Sequence, residues 1–228
     1  MSISSICGSE FDYHKYDRLG GRIKGSQAFE AGGVWITHAS LPANRSNQVN
    51  LGTTDAALLA SGYVAPTYTN STLKWDGITY SNSADMNEGR GSSVGAGTQN
   101  AGLIAGGFTG TGGTNVGSGS EAFQQTSLAW DGLSYTTVAS MANERASGGV
   151  VGSINAALAQ GSNNCLGYST CTEEWNGSAW SDAAASNFAT SFVSTVGTSN
   201  NAMHVLDANS PLKKGCSDFY NGVSWSTG

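Results

Sequence analysis

The chain has 228 residues, of which only 11% are charged, and its formal net charge is −6. Ordinary domains carry roughly 25% charged residues. The acidic balance excludes a face built to neutralise a nucleic-acid backbone, and no run of about 18 apolar residues is present to span a membrane. The 6 Trp, 8 Tyr and 7 Phe supply core anchors that a disordered polar chain lacks, while 32 glycines suit closely packed sheets.

Residues 1–34 come first in the chain. The opening stretch lacks the basic start and apolar run of an export signal. Cys7, Cys165, Cys171 and Cys216 are therefore expected as reduced thiols, and their spacing matches no metal site. Phe11, Tyr13 and Tyr16 stand among Lys15, Arg18, Arg22 and Lys24, the most basic part of an acidic chain. Isolated aromatics have little reason to sit in a solvated tail. The segment is expected to be an arm that orders on a neighbouring subunit.

An internal repeat begins at Trp35. Trp75-Asp76-Gly77 recurs as Trp130-Asp131-Gly132, Trp175-Asn176-Gly177 and Tyr220-Asn221-Gly222, at steps of 55, 45 and 45 residues. A second aromatic follows five residues on, at Tyr80, Tyr135, Trp180 and Trp225. Further columns align behind it. One holds Arg45, Arg90, Arg145 and Thr190, and another holds Gly52, Gly97, Gly152 and Gly197. A third holds Leu58, Leu103, Leu158 and Met203.

Each unit reads as four short strands. The first follows the arginine column, as at 47–51 and 148–151. A turn with Gly-Thr and then Asn or Asp leads to the second, at 56–60, 101–105, 156–160 and 202–206. These runs lack alternation, which predicts burial on both faces. The third and fourth strands form a hairpin about Asp-Gly or Asn-Gly, expected as a two-residue type I′ turn. That geometry sets Trp75 opposite Ile78, and groups Leu73, Trp75, Ile78 and Tyr80 on one face. One such sheet cannot bury itself, but neighbours stacked around an axis can. The expected fold is all-β: a propeller of four four-stranded blades over 35–228, closing on itself, with an N-terminal arm. The extra ten residues of the longer step fall within 107–125, read as a glycine-rich loop without an added strand.

These columns resemble the kelch repeat. Leu41-Pro42-Ala43-Asn44-Arg45 matches its apolar-Pro-x-x-Arg opening, and Gly106-Gly107 stands where its glycine pair closes the second strand. Only one unit keeps the full pair, and Trp usually replaces Tyr at the first aromatic site. Glu174-Trp175-Asn176-Gly177-Ser178-Ala179-Trp180, followed by a Gly-Thr turn, resembles repeats in large structural proteins of environmental bacteriophages. The resemblance implies a virion structural protein such as a fibre, decoration or tail-associated module. It would be assembled in the host cytoplasm, with other virion proteins as partners through the arm. The alternative expectation is a free lectin- or adhesin-like propeller that binds a host-surface glycan or a protein.

No catalytic constellation emerges, and no cofactor is expected. His14, His38 and His204 occupy unrelated contexts, with His204 inside a second strand as a core or channel histidine. Glu173 and Glu174 are adjacent on one strand, so they face opposite ways and cannot pair across a cleft as glycoside hydrolysis requires. Arg45, Arg90 and Arg145 are the best polar candidates. Their guanidinium groups either tie strand carbonyls between blades, or ring one mouth of the propeller and hold an anion or a sugar carboxylate.

Overall fold

The computed structural model describes residues 38–110, 122–164, 167–191, 194–205 and 216–228. The chain divides into two units, Met1–His38 and Ala39–Gly228, and the second is the subject below. Phe11, Tyr13, Tyr16, Arg18 and Arg22 of the expected arm lie outside the described residues, as do Trp35, Cys7 and Cys165.

Every regular element among the described residues is a β-strand. The first unit contains β1 (Val49–Gly52), β2 (Ala57–Ala60), short β3 (Tyr63–Val64) and β4 (Thr67–Tyr68), then β5 (Thr72–Trp75) and β6 (Tyr80–Asn82). The second contains β7 (Val94–Thr98), β8 (Ala101–Ala105), short β9 (Phe108–Thr109) and β10 (Ala122–Phe123), then β11 (Ser127–Trp130) and β12 (Tyr135–Val138). The third contains β13 (Gly149–Ser153), β14 (Ala156–Gln160), short β15 (Asn163–Asn164) and β16 (Gly167–Tyr168), then β17 (Thr172–Trp175) and β18 (Trp180–Asp182). The fourth contains β19 (Ser194–Thr198), β20 (Asn201–Val205), β21 (Ser217–Tyr220) and β22 (Trp225–Thr227). The four long strands of each unit form an antiparallel sheet in chain order, and each short pair forms its own two-stranded ribbon. The ribbons between second and third strands were not legible as strands. In the second unit β9 and β10 lie within 107–125, so that stretch does carry strands near its two ends.

The second strands of the first three units are buried on both faces, as their composition predicts, whereas β20 of the fourth buries only one, Val205 on the other being 44% exposed. Leu58, Ala60, Leu103, Ile104, Leu158 and Ala159 are all inaccessible. The Trp-Asp-Gly hairpins differ from expectation. Trp75 pairs with Tyr80, Trp130 with Tyr135, Trp175 with Trp180 and Tyr220 with Trp225. The loop therefore holds four residues. Asp76 Oδ1 accepts the amides of Ile78 at 2.9 Å and Thr79 at 2.7 Å. Those bonds hold the Asp76 carboxyl below its usual range, the Thr79 amide contributing most. Only the glycine is left-handed, with φ +93° at Gly77. The aspartate side chain thus replaces a backbone turn. Ile78 is carried to the exposed tip and leaves the face shared by Leu73, Trp75 and Tyr80.

Consecutive sheets pack face to face. Val49, Leu51, Leu58 and Ala60 of the first sheet meet Ile104, Leu128 and Trp130 of the second. Ala96 and Leu103 of the second meet Ala157 and Trp175 of the third. Val151 and Leu158 of the third meet Ala202, Tyr220 and Trp225 of the fourth. Small residues set the spacing: a methyl group on Gly102 would fall 2.5 Å from Leu51 Cδ1. The first strands neighbour one another in the order β1, β7, β13, β19, and no comparable contact joins β19 to β1.

Candidate functional site

Among the described residues the first strand is the edge of each sheet, so one side of its backbone has no partner strand there. The four first strands border a common cavity of about 420 Å³. Its polar lining comes from Gln48, Asn50, Ser93, Ser194 and Thr195, and it contains no charged side chain. Where each strand leaves this rim, Asn47, Ser92 and Ser147 adopt φ of 55°, 53° and 56°. That conformation costs a side-chain-bearing residue free energy. It is held by a relay: Ser92 N donates to Asn47 O and Ser147 N to Ser92 O, each at 2.9 Å. The relay links three sheets through their backbones.

The arginine column lies just before these positions. Arg45 Nη1 donates to the carbonyls of Ser61 at 3.0 Å and Ser71 at 2.9 Å. Arg90 Nη1 donates to Gly106 O at 3.2 Å and Thr126 O at 3.1 Å. Arg145 Nη1 donates to Gly161 O and Cys171 O, and its Nη2 reaches Glu173 Oε1 at 3.2 Å. Each guanidinium thus bridges the ends of the second and third strands of its own sheet. The bond between sheets comes from the backbone of the same residue. Gly62 N donates to Arg90 O at 2.8 Å and Gly107 N to Arg145 O at 2.7 Å. In the fourth unit Thr190 stands in the column, and its carbonyl accepts from Ser162 N at 2.9 Å. Arg90 and Arg145 are buried, whereas Arg45 is half-buried.

Glu173 and Glu174 lie on opposite faces of β17. Glu173 is fully buried, and besides Arg145 it accepts Ala142 N at 2.7 Å. Glu174 Oε1 accepts the Tyr220 hydroxyl at 2.7 Å, across the join to the fourth sheet. In the fourth sheet the Glu173 position is Asp218, which accepts Asn187 N at 2.9 Å and Asn187 Nδ2 at 3.0 Å. With threonine in the arginine column, the nearby basic group is His204, its Nε2 3.8 Å from Asp218 Oδ2. His204 is wholly buried beside Trp225, and neither ring nitrogen has a hydrogen-bond partner. Among the described residues no three His, Cys, Asp or Glu side chains cluster as a metal site, and Cys171 and Cys216 are free thiols.

Sequence reading missed one recurring feature. Thr72, Ser127 and Thr172 open the third strands, and each bonds the second aromatic of the following sheet. Thr72 Oγ1 lies 2.9 Å from the Tyr135 hydroxyl, while Trp180 Nε1 and Trp225 Nε1 donate to Ser127 and Thr172 at 3.0 and 3.2 Å. Burial, opposed by the Thr72 bond, pushes the Tyr135 phenol up to about 12, so it stays neutral. The signal was available as a column of hydroxyls eight residues before each second aromatic. No known family model matches the chain, and no curated protein matches it.

Proposed function

We propose that the chain is a non-enzymatic structural component of a bacteriophage particle, a fibre, decoration or tail-associated module. In this reading the four sheets are kelch-like blades set around the cavity bordered by the first strands, without, among the described residues, the closure of the fourth upon the first that a complete propeller ring requires. The observation that supports it best is the use made of buried charge. Arg90, Arg145, Glu173 and Asp218 all bond to the chain's own backbone or side chains. That pattern suits a scaffold that works through its surface. The likeness of the Glu-Trp-Asn-Gly repeat to phage structural proteins supplies the setting: a virion, assembled in the host cytoplasm. Residues 1–34 are proposed to reach other virion proteins, so deleting residues 1–33 should leave a folded chain that no longer joins its partners. Mass spectrometry of purified particles from the source should find the chain at fixed stoichiometry. Its absence from them would remove the idea.

A second reading is a free glycan-binding propeller. The uncharged polar cavity of about 420 Å³ favours it. This reading requires the isolated chain to bind neutral glycans, with loss of binding when Asn50 and Thr195 are replaced by alanine.

A further inference from the structure

We propose that the outer face of the fourth sheet is a pairing surface, on which two copies of this chain dock through the same face. Position by position, that face is the one the first three sheets bury against their successors. Leu51, Ala96 and Val151 are exposed by 6%, 5% and 7%, whereas Val196 in the same column is exposed by 56%. Val196 pairs with Met203 and Met203 with Phe219, so the three form one row across the sheet. Val205, 44% exposed, stands in the next row between Ser194 and Ser217. The face is therefore an inter-sheet surface without a sheet upon it. A contiguous apolar patch of this kind marks an interaction site.

Two observations identify the occupant. A head-to-tail stack would need the back face of another copy's first sheet, but Leu59, Leu73 and Trp75 there are already buried. The matching uncovered face in a second copy is the outer face of its own fourth sheet. The residues also suit self-pairing. Lys74 and Glu174 occupy the Phe219 column in the first and third sheets, and both bond into the following sheet. On the fourth sheet Ser194, Val196, Met203, Val205, Ser217 and Phe219 carry no charge. A two-fold axis sets a patch against itself, where any charge would meet its own copy, and this face has none to repel. Sheets can then pack at the usual separation of about 10 Å. Ser217 keeps the hydroxyl column, and no described residue brings it the aromatic partner that Thr72, Ser127 and Thr172 have.

The inference does not depend on the virion reading and is tested apart from it. The full chain is measured by size-exclusion chromatography with light scattering, at tens of micromolar. Twice the 23.3 kDa chain mass is expected. The double variant Val196→Asp, Phe219→Asp should run at single mass with an unchanged circular dichroism spectrum, since both side chains are exposed. A control, Ile78→Asp with Leu133→Asp at the exposed hairpin tips, should keep the double mass. A wild-type chain of single mass would overturn the proposal. So would species that grow beyond two copies with concentration, a Val196/Phe219 variant that still pairs, or a tip variant that comes apart.

Discussion

The indole of Trp180 donates from Nε1 to the Ser127 hydroxyl at 3.0 Å, across the join between the third and second sheets. The two residues are 53 positions apart, and the same separation joins Trp225 to Thr172. The repeat thus places the same polar bond in each apolar join, one of several contacts that limit how far one sheet can slide on the next.

Ser127 is fully buried, so its hydroxyl cannot be replaced by water without rearrangement. Ser127→Ala should leave the indole N–H unpaired and cost about 1–3 kcal/mol. Trp180→Phe removes the donor as well, so the double variant should lose less than the two single losses added together. Urea unfolding of the four proteins measures this coupling. Strict additivity would show that the bond contributes nothing.

Trp130 anchors the same architecture through packing. It is wholly buried, lies 4.5 Å from the Tyr135 ring and donates to Gln99 O at 2.7 Å. Trp130→Ala should cost about 3–5 kcal/mol, as other large aromatic truncations do. Because Trp130 packs against Leu51 and Leu58, hydrogen exchange should quicken in both the first and second sheets. An unchanged urea midpoint would mean that the cluster does not hold the sheets together.

The strands were legible because two periodic signals coincide: glycine turns between first and second strands, and aromatic hairpins between third and fourth. The second-strand prediction at 101–105 coincides with β8. The turn itself was misread. Asp-Gly alone suggests two residues, but the Asp76 carboxylate accepts amides two and three residues on and so favours a four-residue loop. The short ribbons were hidden because pairs such as Tyr63–Val64 and Thr67–Tyr68 are too brief to show alternation. For the arginine column the residue type was readable and the partners were not. Backbone carbonyls such as Gly106 O and Thr126 O leave no mark in sequence.

Arg145 and Glu173 form an ion pair with both side chains at 0% exposure. Arg145→Met should cost about 3–5 kcal/mol, because it leaves the carboxylate buried without its counter-charge. Glu173→Leu should cost less, about 1–3 kcal/mol for the unpaired Ala142 and Asn143 amides. The second sheet already combines Arg90 with Leu128 at the equivalent position, where the guanidinium rests on two carbonyls and its only counter-charge is the exposed Glu88 carboxylate 3.9 Å from Nε, among the described residues. Denaturation midpoints of the two variants decide the order. A larger loss for Glu173→Leu would show that the carboxylate's amide bonds outweigh the charge pair.

The fourth sheet should respond to acid through His204. Burial pushes its imidazole below the usual value of 6.5, with Asp218 acting against that shift. Well above pH 6.5 the ring is neutral in both folded and unfolded chains and adds no pH dependence. Below it the unfolded chain takes up the proton first, so stability falls with pH until the folded ring is protonated too. His204→Leu restores the apolar residue found at Leu59 and removes two ring nitrogens without partners. The variant should be at least as stable as the parent near pH 7, and its advantage should widen towards about pH 5, where other titrating groups affect both proteins alike. Chemical denaturation of both proteins across that range supplies the difference curve. Parallel curves would place His204 at its ordinary value. A narrowing advantage would mean that attraction to Asp218 exceeds the effect of burial, and that the protonated pair stabilises the sheet.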